Sequence, residues 1–328
     1  MNVIVEREKG LLELERRINE LRALGNDSNH AIDLSAEVKA LEQKYAQIQR
    51  EIFGSMTAWQ KVNMARHPNR PVSSEYIAQL GQFDELHGDR HFRDDAAIIG
   101  GFAKLGERAV MVIGQQRGRD TKENLRRNFG MATPEGYRKA KRLAHLASRL
   151  GLPLLTFVDT KGADPGIGSE ERSQSEAIAA CLYEFTLAQV PIVAAIIGEG
   201  GSGGALALAI ADHVIMLEHS VYSVASPEGC AAILWGDASK AEEAAARLKL
   251  TSADLAGFGI VDEIVPEPVG GAHRDSAGLI ARVLGSIEAS LNKLTALPAA
   301  ELVEERYRKY RRIGAWQNER QEAVPLKT

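Results

Sequence analysis

The feature that most constrains this chain is a unit that recurs three times: a short apolar run, a glycine-bearing loop, then a helical stretch. Ala109 to Ile113 runs into Gly114. Leu154 to Val158 runs into Asp159-Thr160-Lys161-Gly162-Ala163-Asp164-Pro165-Gly166, and Ile192 to Ile197 into Gly198-Glu199-Gly200-Gly201-Ser202-Gly203-Gly204. Helical stretches follow at Pro134 to Leu150, around Gln174 to Ala188 and at Ala205 to Ala211. Strand, loop and helix in alternation make an α/β domain. Two further strand candidates, His213 to Leu217 and Val221 to Val224, come before Ser226-Pro227-Glu228-Gly229. There Ser226 as N-cap and Pro227 in the first turn would start another helix.

Both flanks read differently. Leu11, Leu14, Ile18 and Leu21 step by three and four, as do Leu34, Val38, Leu41, Tyr45, Ile48 and Ile52, and each series is one face of a helix. The turn-forming Gly25-Asn26-Asp27-Ser28-Asn29 between them predicts a helical hairpin, read as an assembly arm without chemistry. Three regions result: a helical arm over 1–82, an α/β core over 83–265 and a helical C-terminal region over 266–328. The run Glu304-Glu305-Arg306-Tyr307-Arg308-Lys309-Tyr310-Arg311-Arg312 reads as a solvated or partner-facing helix face.

Composition excludes several classes. With 40 Lys and Arg against 44 Asp and Glu, the net charge of −4 argues against nucleic acid as the main partner. The two cysteines, Cys181 and Cys230, cannot form a disulfide framework or a four-thiolate zinc site, so no metal is expected here. Charged residues Glu6 to Lys9 stand where a secretory signal needs an apolar run, and no apolar run approaches the roughly 18 to 20 residues that span a bilayer. A cytoplasmic location away from membranes is the expectation.

Residues 198–204 admit three chemistries. Gly198, Gly200 and Gly203 match GxGxxG with Glu218 twenty residues beyond Gly198, as in a dinucleotide fingerprint, although the crossover to His213 is short. Gly200-Gly201-Ser202-Gly203-Gly204 matches GxSxG, with Asp262 and His273 in the chain order of a serine hydrolase triad on Ser202. The third reading uses the backbone. Gly203 and Gly204, before a helix beginning near Ala205, would offer unpaired N–H donors to a group gaining negative charge, an oxyanion hole. A glycine-rich turn serving only helix–strand packing is the structural alternative.

Three longer stretches carry a resemblance. They are Arg126-Arg127-Asn128-Phe129-Gly130-Met131 with Pro134 to Ala140; Asp159 to Gly166 continuing through Glu170-Glu171-Arg172 and Gln174 to Ile178; and Gly198 to Ala207 followed by Tyr222-Ser223-Val224 and Ser226 to Cys230. Together with Trp59-Gln60, Ala65-Arg66-His67-Pro68 and Pro266 through Arg274, they closely resemble the carboxyltransferase alpha subunits of multi-subunit bacterial and plastid acetyl-coenzyme A carboxylases. The resemblance implies a crotonase-type superhelix of ββα units. It implies transfer of a carboxyl group from carboxybiotin on a carrier protein to acetyl-CoA, giving malonyl-CoA for fatty acid biosynthesis.

It also implies partners: a beta subunit of the same fold carrying a zinc ribbon, in an α2β2 assembly, with the biotin carboxyl carrier protein and biotin carboxylase in the wider complex. The oxyanion hole for the biotin ureido oxygen falls on the amides of Gly203 and Gly204, while Gly162, Ala163, Pro165, Gly166, Gly200 and Gly201 are expected to shape the substrate site. No side chain stands out as a general base. Where the family usually reads Asp-Thr-Pro-Gly-Ala-Tyr-Pro-Gly, this chain has Lys161 and Asp164. The two charges either pair locally, or they mark a paralogue acting on a different acyl-CoA.

Overall fold

A computed structural model describes residues 3–25 and 34–314. The hairpin turn expected around Asn26 to Asn29 lies outside them. The chain runs α1 (Val3–Gly25), α2 (Ser35–Phe53), α3 (Ala58–Ala65), α4 (Ser73–Ile77), β1 (Gly81–Glu85), β2 (Ile98–Leu105), β3 (Arg108–Gln115), α5 (Thr121–Arg126) and α6 (Pro134–Leu150). It continues through β4 (Leu154–Thr160), α7 (Ile167–Glu171), α8 (Gln174–Leu187), β5 (Ile192–Gly201), α9 (Ser202–Ala209), β6 (His213–Leu217) and β7 (Val221–Ser223). Last come α10 (Pro227–Trp235), α11 (Ala241–Leu248), α12 (Ser252–Gly257), β8 (Glu263–Val265), α13 (Ser276–Leu294) and α14 (Ala299–Arg311).

The strands form one sheet in the order β1-β2-β3-β4-β5-β6-β8, with β7 paired to the far end of β5. β1, β2 and β3 are antiparallel, and β3 through β8 are parallel. Side chains of a strand alternate between faces. In β5, Ile192, Ala194 and Ile196 therefore join the core under α6, α8 and α9, while Val193, Ala195 and Ile197 join the core under α4 and α13. Both faces are covered, so the strands carry continuous apolar runs. Ser226 caps α10 by accepting from the Gly229 N–H at 3.1 Å, with Pro227 in the first turn.

The arm packs as its periodicity requires: Leu11 and Ile18 are buried, and Val38, Leu41, Tyr45, Ile48 and Ile52 are half-buried. It is tied to the core through Glu8, whose carboxylate reaches His67 Nε2 at 3.0 Å and His273 Nε2 at 3.1 Å. Those imidazoles stack at 3.8 Å and 11°. Burial opposes charge on Glu8, yet the bonds from His273 and His67 hold its carboxyl down at about 2. His67 Nδ1 accepts from the Asn69 N–H at 3.2 Å, so Nε2 carries the proton and donates. The three residues offer donor atoms within 4.8 Å of one another, a spacing that a metal ion could share, and here they form a clasp between arm and core.

Most of the charged run near the C-terminus is solvated as expected, with Glu304, Glu305, Tyr307, Arg308, Arg311 and Arg312 exposed, but Arg306 and, in part, Tyr310 turn inward. Arg306 of α14 is buried, paired with Asp212 at 2.8 Å and donating to the carbonyls of Phe185, Ala188 and Val190. Tyr310 donates to the Ala209 carbonyl and accepts from the Ala211 N–H. Periodicity could not show this, because a guanidinium reaches past its own helix face with five donors. Among the described residues no helix is long and apolar enough to cross a membrane.

Candidate functional site

The ends of the parallel strands β4 and β5 carry the two glycine loops side by side. β5 ends at Gly201, the N-cap of α9, so the helix starts at Ser202 rather than near Ala205. Gly203 and Gly204 are consequently its second and third residues, not residues ahead of it. Their N–H groups still precede any intrahelical acceptor. Outside the bonds internal to strand and helix, among the described residues no backbone carbonyl accepts from them. Ser202 turns the corner with φ +57°, a left-handed conformation uncommon for a residue with a Cβ.

Packing explains most of the glycines here. A Cβ on Gly198 would overlap the Asp159 carboxylate, and one on Gly201 the Lys161 carbonyl. One on Gly200 would stand 2.8 Å from the Tyr222 ring. One on Gly204 would stand 2.5 Å from the Ala163 nitrogen and 2.6 Å from the Tyr137 hydroxyl. Gly203 differs. Its φ is not in the left-handed region, and a Cβ there would meet only Ile178 Cγ2, at an ordinary 3.8 Å. Among the described residues nothing requires glycine at 203.

Gly203 and Ser202 open onto a groove of about 410 Å³ whose other walls are largely apolar, among them Leu206, Tyr222, Val224, Leu248, Phe258 and Tyr310. Val224 is 79% exposed and Phe258 55%, so the groove's rim is apolar surface facing outward. A smaller cleft of about 220 Å³ is bordered by Arg66, His67, Arg117, Arg119, Phe129 and Lys161. The remaining loop residues are placed less centrally. Gly162, Gly200, Gly201 and Gly204 are buried and, with Ala163, pack behind the groove wall, whereas Pro165 and Gly166 are exposed at the start of α7; of the residues expected to form the oxyanion hole and the substrate site only Gly203 lines either cavity.

Side chains that the motifs did not single out hold this turn. Gln115, fully buried at the end of β3, donates from Nε2 to the Gly204 carbonyl at 2.7 Å and accepts at Oε1 from the Asp159 N–H at 3.1 Å. Asp159 accepts from the Glu199 N–H at 3.0 Å and from Arg117 Nε at 2.7 Å. Burial pushes its carboxyl up, against the pull of Arg117. Arg66 straddles Glu199 and Glu228 with paired hydrogen bonds of 2.6 and 3.0 Å to the first and 2.5 and 3.2 Å to the second. Asp159, Glu199, Arg66 and Glu228 lie inside the motif stretches, whereas Gln115 is hinted at only as a polar residue ending an apolar strand.

The other readings of the glycine loop fail on geometry. The Asp262 carboxylate is engaged by the Val214 N–H and Lys309, and His273 by Glu8 and His67, so neither supports Ser202 and no triad forms. Glu218 accepts from the Glu267 N–H at 3.0 Å instead of facing the loop as a ribose acceptor would. Lys161 and Asp164 do not pair with each other. Asp164 accepts from Asn128 at 2.9 Å and Ser169 at 2.5 Å, and Lys161 borders the basic cleft, where its charge helps hold the Glu228 carboxyl down behind Arg66.

Residues 4–314 match the family model described as acetyl co-enzyme A carboxylase carboxyltransferase-like. The acetyl-coenzyme A carboxylase carboxyl transferase subunit alpha of Geobacter metallireducens is 52% identical over 94% of this chain and 97% of its own. Among solved structures, a transcarboxylase 12S with methylmalonyl-coenzyme A bound superposes with a TM-score of 0.51 at 20% identity, covering 65% of this chain and 41% of that longer one. The beta subunit of Pseudomonas aeruginosa geranyl-CoA carboxylase gives 0.53 at 18% identity, covering 71% and 49%. At such identities these structures speak for the fold alone, the crotonase-type arrangement of carboxyltransferases.

Proposed function

Since the chain belongs to the acetyl-coenzyme A carboxylase carboxyltransferase family, as an alpha subunit, we propose that the amides of Gly203 and Gly204 receive the ureido oxygen of biotin while its carboxyl group moves to acetyl-CoA. The reaction breaks the bond between biotin nitrogen and the carboxyl carbon and forms a carbon–carbon bond at the acetyl methyl group. The methyl proton ends on the biotin nitrogen, which is basic once the carboxyl group has left. Charge gathers on the ureido oxygen as that bond breaks. First-turn N–H groups at a helix N-terminus are suited to it, and one preorganised donor is worth about 3 kcal/mol in a dry site.

One observation carries the reading: Gly203 is a glycine the fold does not need, placed with an unpartnered amide at the mouth of an apolar groove. A bare backbone there admits close approach of a ligand atom. The groove suits a small bicycle with an apolar thioether ring and one polar ureido edge, which describes biotin. Gly162, Ala163, Gly200 and Gly201 act from behind by fixing the turn, and Pro165 and Gly166 extend the same loop outward. The chain supplies positioning and exclusion of water, with no side-chain base.

The enolate of acetyl-CoA needs a second oxyanion hole, assigned to the partner beta subunit along with a zinc ribbon. The carrier protein bearing carboxybiotin and the carboxylase that charges it complete the assembly, with α2β2 as the carboxyltransferase unit. The test is reconstitution. The chain with a beta subunit should move a carboxyl group between malonyl-CoA and biotin, and either alone should not. Turnover by the isolated chain, or none with a competent beta partner, would overturn the reading.

A further inference from the structure

The first turn of α9 is tied to β3 by a single amide side chain. Among the described residues, Gln115 is the only side chain hydrogen-bonded to the backbone of residues 200–204. Its two bonds run to different loops: Nε2 holds the Gly204 carbonyl in the first turn of α9, and Oε1 holds the Asp159 N–H one residue before the end of β4. The reverse orientation of the carboxamide would set donor against donor and oxygen against oxygen, so the neighbours dictate which end is which. The Gln115 carbonyl is fixed in turn by the Ser73 hydroxyl at 2.6 Å. A side chain this buried and this fully paired leaves the turn little freedom to rotate.

We infer that Gln115 is a positioning residue for carboxyl transfer: by pinning the Gly204 carbonyl, in the peptide that follows, it fixes the first turn of α9 and through that turn the two preceding peptides, whose N–H groups receive the ureido oxygen. This rests on the proposed role of Gly203 and Gly204. A donor displaced by an ångström or rotated off the line to the oxygen loses most of its worth in the transition state and little in ground-state binding. Gln115 touches no substrate and acts only through the turn.

Two variants, each assembled with the beta subunit, test this. The assay is carboxyl transfer from malonyl-CoA to free biotin, read as acetyl-CoA released. Gln115→Met keeps the length of the side chain and removes both bonds; kcat should fall about 100-fold while KM for malonyl-CoA changes less than about threefold. Gln115→Glu adds a pH readout. The introduced carboxyl, buried beside Asp159, is raised in pKa. While protonated it donates to Gly204 and accepts from Asp159 as the amide does, and once ionised it cannot donate. Its activity should approach that of the unchanged enzyme at low pH and fall along an extra alkaline limb.

Gln115→Met with kcat within threefold of the unchanged enzyme would overturn the inference. So would a Gln115→Glu profile parallel to the unchanged one, including the case where Gln115→Met fails to assemble. Gly203→Ala in the same assay separates this from the reading beneath it. If Gly203→Ala is fully active, the oxyanion hole itself is misplaced; if it is inactive while Gln115→Met is active, only the positioning role falls.

Discussion

Gly203→Ala and Gly204→Ala differ by one methyl group at adjacent positions and should fail in opposite ways. At 203 the added Cβ meets nothing closer than Ile178 Cγ2 at 3.8 Å, in a helical backbone that alanine accepts. Loss of glycine's freedom in the unfolded chain should stabilise the protein by roughly 0.5 to 1 kcal/mol, raising Tm by a degree or two. The same methyl stands at the groove wall beside the amide. If it holds the ureido oxygen away from one donor, about 3 kcal/mol of transition-state stabilisation disappears, a fall in kcat of about 100-fold. At 204 the methyl would lie 2.5 Å from the Ala163 nitrogen and 2.6 Å from the Tyr137 hydroxyl, overpacking worth about 1 to 3 kcal/mol of lost stability. Calorimetry beside the malonyl-CoA to biotin assay reads both quantities. A Gly203→Ala enzyme with undiminished kcat would refute the reasoning, as would one whose activity falls only in step with its stability.

Other outcomes follow from the flanking regions. Arg306→Met leaves Asp212 buried without its cation and should destabilise the chain by about 3 kcal/mol or more, read as a lower urea midpoint; a change under about 1 kcal/mol would contradict the staple assigned to α14. Glu8, held at about 2, well below the ordinary glutamate value of about 4.5, is depressed by folding, so its contribution is present above about 4.5 and lost as pH falls toward 2. That contribution, on the order of 3 kcal/mol, should vanish from the stability profile of Glu8→Gln across the same window; an identical acid limb in both proteins would show that the clasp carries none of it.

Much of the core was legible because its signals are local. The runs Leu154 to Val158 and Ile192 to Ile197 became β4 and β5, and Pro134 to Leu150 became α6 with both ends as read. Expectation fell short where a glycine after a strand is itself helical: α9 took Ser202, Gly203 and Gly204 into its first turn because Gly201 caps it. The site was half legible. Glycine type and spacing gave the turn, but which glycine is free of packing depends on Asp159, Tyr137, Tyr222 and Ala163, residues far away in sequence that only the sheet brings close. Gln115 left no pattern at all, since a single polar residue ending an apolar strand carries no period. Arg306 hid inside a charged run for the same reason: burial of a long cation is decided by carbonyls on α8 and the loop after it.

The most direct measurement is a crystal structure of this chain assembled with its beta subunit and biotin. The ureido oxygen should lie within about 2.7 to 3.1 Å of the Gly203 or Gly204 nitrogen, with the bicyclic ring in the groove beside Leu206 and Val224. Biotin bound elsewhere, or with its ureido oxygen turned from that pair of amides, would contradict the account.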